Sequence, residues 1–320
     1  MPRPIQTDLL KRVSRSFYLS MRLLPAPMRE PVSLGYLLAR ASDTLADTSA
    51  APVELRREAL ACFRSALDKP SGEMTEWFDR MTTKFVPHQT HEGERELLRR
   101  LPECWETFGR CGTETQQALR DVLGEITAGQ SWDLARFGDA TPQRVGMVET
   151  GAELETYAYQ VAGCVGEFWT RVGFVTLGSR FADPSSRSGM MESGKCLGQG
   201  LQLVNILRDL GADLAAGRCY LPKDELAAAG WREGDPGSLE KAIPMVAEVW
   251  RRRGREFLQP GWSYVAALRR GRVRTATALP LILAEKTIDA LDSAGAGALV
   301  ERVKVSRSQV WTSLARAMVS

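Results

Sequence analysis

Apolar residues recur at spacings of three and four along most of the chain, as at Leu197, Leu201 and Val204. This period is typical of amphipathic helices, because an α-helix returns a side chain to the same face every ~3.6 residues. The sequence contains no sustained apolar–polar alternation and no Asn-Gly hairpin signal, which are the usual marks of strands. The pattern therefore predicts an all-α fold.

Glycine and proline residues interrupt the helical pattern at several short segments, as turns and loops require. These segments are residues 69–72, 87–89, 178–189, 217–222 and 230–237. They separate helices rather than domains, and the sequence shows no internal repeat of fixed period. We therefore expect a single helical domain over residues 1–320, with roughly residues 1–10 and 311–320 peripheral to it.

The composition is that of an ordinary globular protein. The chain has 320 residues, of which 44% are hydrophobic and 25% charged, and this excludes wholesale disorder. A net charge of +3 is too nearly balanced for nucleic acid to be the main partner. The six cysteines are scattered without a Cys-x-x-Cys pair, so we expect no zinc site, no disulfide framework and a reducing compartment.

The sequence carries no signal for membrane insertion or secretion. The N-terminal residues lack the apolar run of a secretory signal. The longest apolar stretch near the C-terminus, residues 276–284, is less than half of the roughly 20 residues that a spanning helix needs. We therefore expect a cytoplasmic protein that is not an integral membrane protein.

Positive charge is concentrated in the last third of the chain. The arginines concerned are Arg251, Arg252, Arg253, Arg255, Arg269, Arg270, Arg272 and Arg274. Charge runs of this kind are usually solvated helix faces. Two alternatives stay open: docking on an anionic membrane surface, which would place the protein peripherally at the inner membrane face, and a contribution to an anion site.

The first candidate for chemistry is a pair of aspartates at helical spacing. Asp43 and Asp47 are four residues apart, so a helix stacks them on one face, with Tyr36 and Arg40 on neighbouring turns of much the same face. Two adjacent carboxylates repel each other, and a bound cation would make the pair favourable. A single pair of this kind is most often a solvated face.

A second oxygen-bearing stripe strengthens the interpretation. Asn205, Asp209 and Asp213 follow at intervals of four beside apolar positions of the same predicted helix. Hard oxygen ligands without histidine or thiolate favour Mg²⁺ or Mn²⁺, and Mg²⁺ typically combines one or two carboxylates with substrate phosphates. Two such helices predict a metal-bridged diphosphate site. The two histidines, His88 and His91, lie in a polar segment next to Pro87 and are expected to be loop residues.

These motifs resemble those of the squalene and phytoene synthase family, the head-to-head prenyl synthases. Residues 43–47 (DTLAD) look like its first aspartate motif and residues 205–213 (NILRDLGAD) like its second. Residues 14–17 (SRSF), 157–166 (YAYQVAGCVG) and 217–222 (GRCYLP) also match, in family order. Five ordered segments, covering roughly residues 14–310, are far more specific than one aspartate pair. The chain looks most like a bacterial squalene synthase.

The resemblance implies a fold and a set of site residues. The fold is the all-α isoprenoid synthase fold, with helices around a deep apolar cavity and the aspartates at its mouth. The implied metal ligands are Asp43, Asp47, Asn205, Asp209 and Asp213. The implied diphosphate-binding residues are Ser14, Arg15, Tyr36, Arg40, Gln202, Asn205 and Arg218. Tyr157 matches the family tyrosine that handles a proton in the first half-reaction, where its ring would also suit a carbocation.

The resemblance also implies a two-step reaction. Two farnesyl diphosphates condense to presqualene diphosphate, which loses diphosphate and rearranges, and reduction by NADPH then gives squalene. The sequence has no G-x-G-x-x-G after a strand, so NADPH would bind at a local basic patch. Lys304 and Arg307 lie in a segment that partly matches the cofactor-proximal segment of squalene synthases.

Other products and another class of protein stay open. Residues 217–222 are closer in style to bacterial phytoene and dehydrosqualene synthases, which end the reaction by proton loss. A hydroxysqualene-forming enzyme is a further alternative. A catalytically inert helical scaffold that binds lipid is the alternative of another class, but it would have no use for clustered aspartates that repel each other when no cation is bound.

Overall fold

A computed structural model describes residues 5–14, 17–69, 74–300, 303 and 312. Within these residues the chain is almost entirely helical, so the all-α prediction is confirmed. The helices are α1 (Ile5–Val13), α2 (Phe17–Leu23), α3 (Ala26–Asp47), α4 (Val53–Ala66), α5 (Thr75–Phe85), α6 (Glu92–Arg99), α7 (Leu101–Gly109), α8 (Thr113–Phe137), α9 (Gly151–Ala158), α10 (Cys164–Leu177), α11 (Arg187–Ala215), α12 (Lys223–Ala228), α13 (Pro236–Ala267) and α14 (Arg272–Ala294). The strands are β1 (Gly146–Val148) and β2 (Arg218–Pro222).

The chain divides into two compact units. The first consists of residues 1–134 and 168–187, and the second of residues 135–167 and 188–320. The first unit therefore contains α1 to α7, most of α8 and most of α10, whereas the second contains α9, nearly all of α11, and α12 to α14. The expectation of one domain over residues 1–320 stays a prediction.

An aromatic cluster forms part of the core of the first unit. The fully buried Trp105 of α7 meets Phe63 of α4 edge-on, with ring centroids 5.2 Å apart, and contacts Phe78 of α5 at 6.0 Å. Edge-to-face contacts of this kind add to the hydrophobic gain from burying large rings. They join α4, α5 and α7, and α3 packs against both α4 and α7.

Aliphatic side chains form a core of the second unit. Leu197 and Val204 of α11 lie in one buried cluster with Leu258 of α13 and with Leu281 and Ile288 of α14. Leu197 and Val204 are seven residues apart, as are Leu281 and Ile288, and two helical turns return a side chain to the same face. The cluster fixes the buried face of α11. The polar stripe of Asn205, Asp209 and Asp213 therefore lies on the other side of that helix.

Helix α13 begins and the α13–α14 turn forms for identifiable local reasons. The Asp235 side chain accepts a hydrogen bond from the Ser238 backbone N–H, which caps the first turn of α13. Gly271, between α13 and α14, has φ of 132°, a backbone conformation that residues other than glycine rarely adopt. The reversal of the chain at this point therefore depends on a glycine.

The two strands form a short parallel pair that the sequence pattern does not indicate. Gly146 pairs with Arg218 and Met147 with Cys219, and a register shift follows before Val148. Four of the five residues of β2 are buried, so the strand shows no apolar–polar alternation. This is why the pattern of residues 217–222 predicts a break between helices and no strand.

A helix that spans a membrane must be both long and apolar, and the described helices fall short of this. None of them, in the part of the chain that the structure describes, has both the length and the apolar character needed to cross a bilayer.

Candidate active site

The first aspartate motif lies on one stripe of α3. Leu37, Leu38, Ala41 and Leu45 of this helix are almost fully buried. Tyr36, Arg40 and Asp43 are half-buried and Asp47 is exposed, each three or four residues from the next. The helical period therefore places the polar groups together on the face that α3 does not bury.

Arg40 is the centre of the contacts at this motif. One guanidinium nitrogen donates to a carboxylate oxygen of Asp43, and another donates to a carboxylate oxygen of Glu94 in α6. Burial by itself would lower the pKa of Arg40, but the charges of Asp43 and Glu94 outweigh burial and raise it. The guanidinium therefore stays charged and bridges two helices.

The carboxyl group of Asp43 is strongly perturbed. Desolvation by the surrounding helices, followed by repulsion from Asp47, raises the pKa of Asp43 to about 7, and Arg40 opposes the shift. The side chain nevertheless retains 37% of its surface exposure, so a ligand has access to it. Repelling carboxylates that remain accessible are groups that a cation stabilises.

The end of α1 contacts the same stripe. The Tyr36 hydroxyl donates to the carbonyl oxygen of Val13 at 3.2 Å, and burial raises the pKa of Tyr36. Ser14 is buried, and its hydroxyl donates to the carbonyl oxygen of Leu10. The backbone at Val13, next to Ser14, thus contacts Tyr36. The Ser14 hydroxyl itself is bonded to the backbone of α1.

The second aspartate motif follows the less buried face of α11. Asn205 is exposed, Gln202 is half-buried, and Asp209 and Asp213 are also half-buried, whereas Leu203, Ile206, Leu207 and Leu210 are buried. The guanidinium of the neighbouring Arg208 donates to both carboxylate oxygens of Asp209, with the Nε–Oδ1 distance at 3.1 Å. This arginine lies within the motif, but its spacing from the aspartates does not predict the contact.

Arg218 reaches Asp213 through a tight turn between α11 and β2. The Arg218 guanidinium donates to Asp213 Oδ1 at 2.6 Å, and the Asp213 side chain is only 14% exposed. Gly217 has φ of 80°, and a Cβ at this position would lie 2.3 Å from the backbone of Thr141. Only glycine fits there, and the turn it permits brings Arg218 back to the last aspartate of the motif.

Tyr157 lies against β2. Its ring stacks on that of Tyr220, with centroids 5.5 Å apart and planes 22° apart, and its side chain is 9% exposed. Arg218 and Tyr220 are two positions apart on the same strand, β2. Tyr220 belongs to the matching segment 217–222, but its contact with Tyr157 could not be predicted, because β2 has no apolar–polar alternation that would indicate a strand.

A π-helical turn, residues 159–163, directly follows Tyr157 and α9. Such turns are rare and are frequent at functional sites. The Tyr159 hydroxyl donates to Glu167 Oε2 at 3.0 Å, which spans the turn. Periodicity cannot reveal the extra residue of a π-turn, so the sequence gives no signal for it.

Glycines allow the backbone of the segment after Tyr157 to contact the backbone of α11. A Cβ on Gly166 would lie 1.9 Å from the carbonyl oxygen of Gly194, and one on Gly198 would lie 2.1 Å from that of Ala162. Small residues at helical spacing permit either close helix packing or room for a prenyl chain. At Gly166 the structure shows close helix packing.

The donor set of both motifs fits a hard divalent cation. It consists of carboxylates and one amide, and the repulsion that raises the pKa of Asp43 is what a cation relieves. Among the described side chains, no three His, Cys, Asp or Glu groups converge closely enough to hold a metal ion by themselves. Water molecules, and in the complex with substrate the phosphate oxygens, would complete the coordination, as is usual for Mg²⁺.

Several predicted site residues are not brought together or not described. Arg15, Lys304 and Arg307 lie outside the described residues. Asp43 and Asp47 belong to the first compact unit, whereas Asp209 and Asp213 belong to the second. That the two motifs face each other stays a prediction. Glu94 was missed because it is distant in sequence and no motif includes it.

An all-helical fold with two aspartate-bearing helices, each paired with arginines, defines the class of an isoprenoid-synthase-like protein. The chain belongs to the squalene/phytoene synthase family, because the family model described as "Squalene/phytoene synthase" matches residues 10–309.

Individual relatives agree with this assignment. A bifunctional lycopene cyclase/phytoene synthase from Phaeosphaeria nodorum is 30% identical over 221 residues, 69% of this chain and 34% of that protein. A squalene synthase from Homo sapiens is 27% identical over 284 residues, 88% of this chain and 61% of that protein. The solved complex of TcSQS with the ligand E5700 has a TM-score of 0.77 at 23% identity, covering 98% of this chain and 85% of that one, which shows the fold. The chain spans only about a third to a half of the length of several curated relatives that it matches.

Proposed function

We propose that this chain is a Mg²⁺-dependent prenyltransferase of the squalene synthase type. It condenses two farnesyl diphosphates head to head through presqualene diphosphate and reduces the product to squalene with NADPH. Membership of the squalene/phytoene synthase family supports the reaction class. Mn²⁺ is the alternative metal, because the same oxygen ligands suit it.

The observation that carries the proposal is the pairing of an arginine with an aspartate at each motif. Arg40 donates to Asp43, and Arg218 donates to Asp213. In the free protein each pair holds the guanidinium beside an aspartate of its motif. A diphosphate that accepts from the arginine, with a divalent cation that binds the carboxylate, replaces one pair by two stronger charge contacts.

The chain's own residues have separate tasks in this proposal. Asp43, Asp47, Asn205, Asp209 and Asp213 would hold the metal, which when bound neutralises the charge that develops on the departing diphosphate. The planar guanidinium groups of Arg40 and Arg218 suit bidentate binding of phosphate oxygens. The remaining residues proposed to bind diphosphate are Ser14, Arg15, Tyr36 and Gln202.

Tyr157 suits the proton transfer of the first half-reaction. Its side chain is buried and stacked on Tyr220, a residue of the same strand as Arg218. A phenol held in this way can pass a proton to a diphosphate oxygen, and the paired rings can stabilise positive charge on the substrate through their quadrupoles. A dry apolar environment would protect the carbocation from water.

Phytoene, dehydrosqualene or hydroxysqualene formation is the second candidate. It is favoured by the phytoene synthase activity that forms part of the name of the Phaeosphaeria nodorum relative. The residues proposed to bind NADPH, Lys304 and Arg307, lie outside the described part of the chain. Product analysis therefore decides between the two branches.

The test is to incubate the purified protein with Mg²⁺ and farnesyl diphosphate, with and without NADPH, and to identify extracted products by mass spectrometry. We expect squalene only with NADPH, and presqualene diphosphate to accumulate without it. Dehydrosqualene or hydroxysqualene in both reactions would assign the non-reductive branch. Phytoene from geranylgeranyl diphosphate alone would assign a C₂₀ substrate, and no product from either diphosphate would favour the inert lipid-binding scaffold.

We further propose peripheral contact with an anionic membrane surface by the α13–α14 turn of a cytoplasmic enzyme. Three of the four arginines of mid-α13 form ion pairs within the second unit. Their ion pairs are Arg251–Asp292 at 2.6 Å, Arg253–Glu225 at 3.3 Å and Arg255–Asp289 at 2.7 Å. Arg270 and Arg272 differ, because both are exposed and neither pairs with an acidic side chain among the described residues. No Asp or Glu occurs in residues 257–284.

Vesicle co-sedimentation tests this contact. The wild-type protein should sediment with vesicles that contain anionic phosphatidylglycerol, and an Arg270→Gln/Arg272→Gln variant should do so several-fold less. An Arg29→Gln/Arg57→Gln variant removes the same charge from exposed positions in the first unit and is the matched control. Equal losses in both variants would overturn the assignment of this surface.

A further inference from the structure

Arg40 is held by two carboxylates with different positions in the chain. Asp43 is three residues away on α3, whereas Glu94 comes from α6 and is 54 residues distant. The Glu94 side chain is 21% exposed and that of Arg40 33%. The Nε atom of Arg40 is buried without a hydrogen-bond partner among the described residues. The guanidinium therefore depends on these two contacts for its position.

Only one of the two carboxylates remains available to Arg40 in the proposed reaction. Asp43 is expected to bind the metal, and a carboxylate that turns to a cation gives up part of its contact with the arginine. Glu94 has no such task, because it belongs to neither aspartate motif. Its contact with Arg40 can persist when the substrate is bound.

Glu94 is itself fixed by the local structure of α6. The His91 side chain caps this helix and accepts a hydrogen bond from the Glu94 backbone N–H at 3.4 Å. Gly93 allows α6 to approach α1, since a Cβ there would lie 2.7 Å from the carbonyl oxygen of Arg12. A negative side chain in the first turn of a helix is also electrostatically favoured. The carboxylate that meets Arg40 is therefore held on a constrained element.

We propose that Glu94 is a positioning residue that keeps the Arg40 guanidinium directed to the substrate diphosphate while Asp43 turns to the metal. This inference rests on the proposed function of the α3 motif. It assigns Glu94 no contact with substrate or metal. Its role is to restrict the rotamers of Arg40, whose long side chain would otherwise lose entropy on binding.

The sign of the effect separates positioning from simple electrostatics. A carboxylate near a diphosphate repels it, so removal of the Glu94 charge alone would tighten diphosphate binding. Loss of positioning would weaken the binding instead. A Glu94→Gln variant keeps the shape of the side chain and removes the charge, and the direction of the change therefore identifies the role.

Calorimetric binding of inorganic diphosphate in the presence of Mg²⁺ is the test, because it does not depend on turnover. We expect Glu94→Gln to weaken binding about tenfold, the effect of one charge-assisted contact, and to raise KM for farnesyl diphosphate more than it lowers kcat. Glu92→Gln, in the same first turn but paired with Arg95, is the matched control and should bind as the wild type does. Unchanged or tighter binding by Glu94→Gln would overturn the inference.

A double variant shows whether Glu94 acts through Arg40. In an Arg40→Gln background, Glu94→Gln should cause no further weakening, since there is no guanidinium left to position. A further tenfold loss in the double variant would contradict the inference and indicate a general effect on α6, which circular dichroism of both variants would detect. If the wild-type protein itself binds no diphosphate with Mg²⁺, the proposed function of the motif fails rather than the role of Glu94.

Discussion

In the α3 motif, one arginine lies between Asp43 and Glu94, with Asp47 one turn further along. In the α11 motif, each aspartate has its own arginine, Arg208 for Asp209 and Arg218 for Asp213. In the first motif two carboxylates therefore share one guanidinium, and Asp43 is also repelled by Asp47, whereas in the second motif each of the two aspartates has its own guanidinium. This difference indicates that the α3 motif needs a cation, whereas the α11 motif gains its cation site when a diphosphate takes over an arginine.

The two helices also differ in what holds their backbones. In α3, a Cβ on Gly35 would meet side-chain atoms of Leu119 and Phe168 at 3.1 Å. In α11, a Cβ on Gly198 would meet backbone of the preceding segment at 2.1 Å. Side chains can shift by a few tenths of an ångström, but packed backbones cannot. We expect the α11 motif to be the more rigid of the two.

The largest expected effect comes from removing one carboxylate of either motif. Asp43→Asn and Asp209→Asn should each lower kcat about 10³-fold, the loss typical of removing a group that stabilises developing charge. Both variants should keep their helical fold. Asp43→Asn relieves the repulsion from Asp47, and the partly exposed Arg208–Asp209 pair contributes little to stability. Steady-state assays with farnesyl diphosphate, with the exposed positions Asp79→Asn and Asp289→Asn as controls, measure the effect. Near-normal turnover in either motif variant would mean that the metal assignment is wrong.

Tyr157→Phe should impair one half-reaction more than the other. If the phenol transfers a proton during formation of presqualene diphosphate, its loss should slow that step about 100-fold and leave turnover of supplied presqualene diphosphate nearly unchanged. Tyr264→Phe removes another buried phenol from the second unit and is the control for a structural effect. Equal losses in both half-reactions would count against the proton-transfer role.

Substitution of glycines tests the difference in rigidity. Gly166→Ala should destabilise the protein by about 1–3 kcal/mol, because its Cβ would overlap the backbone of Gly194. Gly35→Ala should cost less, since its neighbours are side-chain atoms. Gly189→Ala, in α11 with nothing within 4 Å, should be neutral or stabilising by about 0.5 kcal/mol. Urea unfolding gives the free energy of unfolding of the three variants. Equal losses at Gly166 and Gly35 would contradict the expected difference in rigidity between the two helices.

The smallest expected effect is on the pH dependence of stability. The ordinary pKa of aspartate is about 3.9, whereas that of Asp43 is about 7. Its contribution to stability is fully present below about pH 4 and is lost as the pH rises through about 7. The metal-free protein should therefore melt at a lower temperature at pH 8 than at pH 6, and Mg²⁺ should recover part of the loss at pH 8.

Two variants test whether this pH dependence of stability comes from the α3 motif. Asp47→Asn should reduce the difference in Tm between pH 6 and pH 8, because repulsion from Asp47 is the second cause of the raised pKa of Asp43. Asp79→Asn should leave the difference as it is in the wild type. Differences that are identical in all three proteins would show that other groups dominate the pH dependence.

Features that repeat at helical spacing could be predicted from the sequence. The all-α fold and the shared face of Tyr36, Arg40 and Asp43 follow from a period of ~3.6 residues. Features that depend on contacts between distant residues could not. Glu94 contacts Arg40 across 54 residues, and β2 is buried too completely to alternate. The π-turn after Tyr157 adds a residue within a helix, which an apolar pattern does not record.

The most direct test of the paired motifs is the binding of Mn²⁺, followed by electron paramagnetic resonance, with and without inorganic diphosphate. Without diphosphate, we expect Mn²⁺ to bind the α3 motif, with loss of binding in Asp43→Asn but not in Asp209→Asn. With diphosphate, affinity should rise, and the gain should require Asp209. An Asp43→Asn/Asp209→Asn double variant that binds Mn²⁺ as the wild type does, in both conditions, would contradict the account.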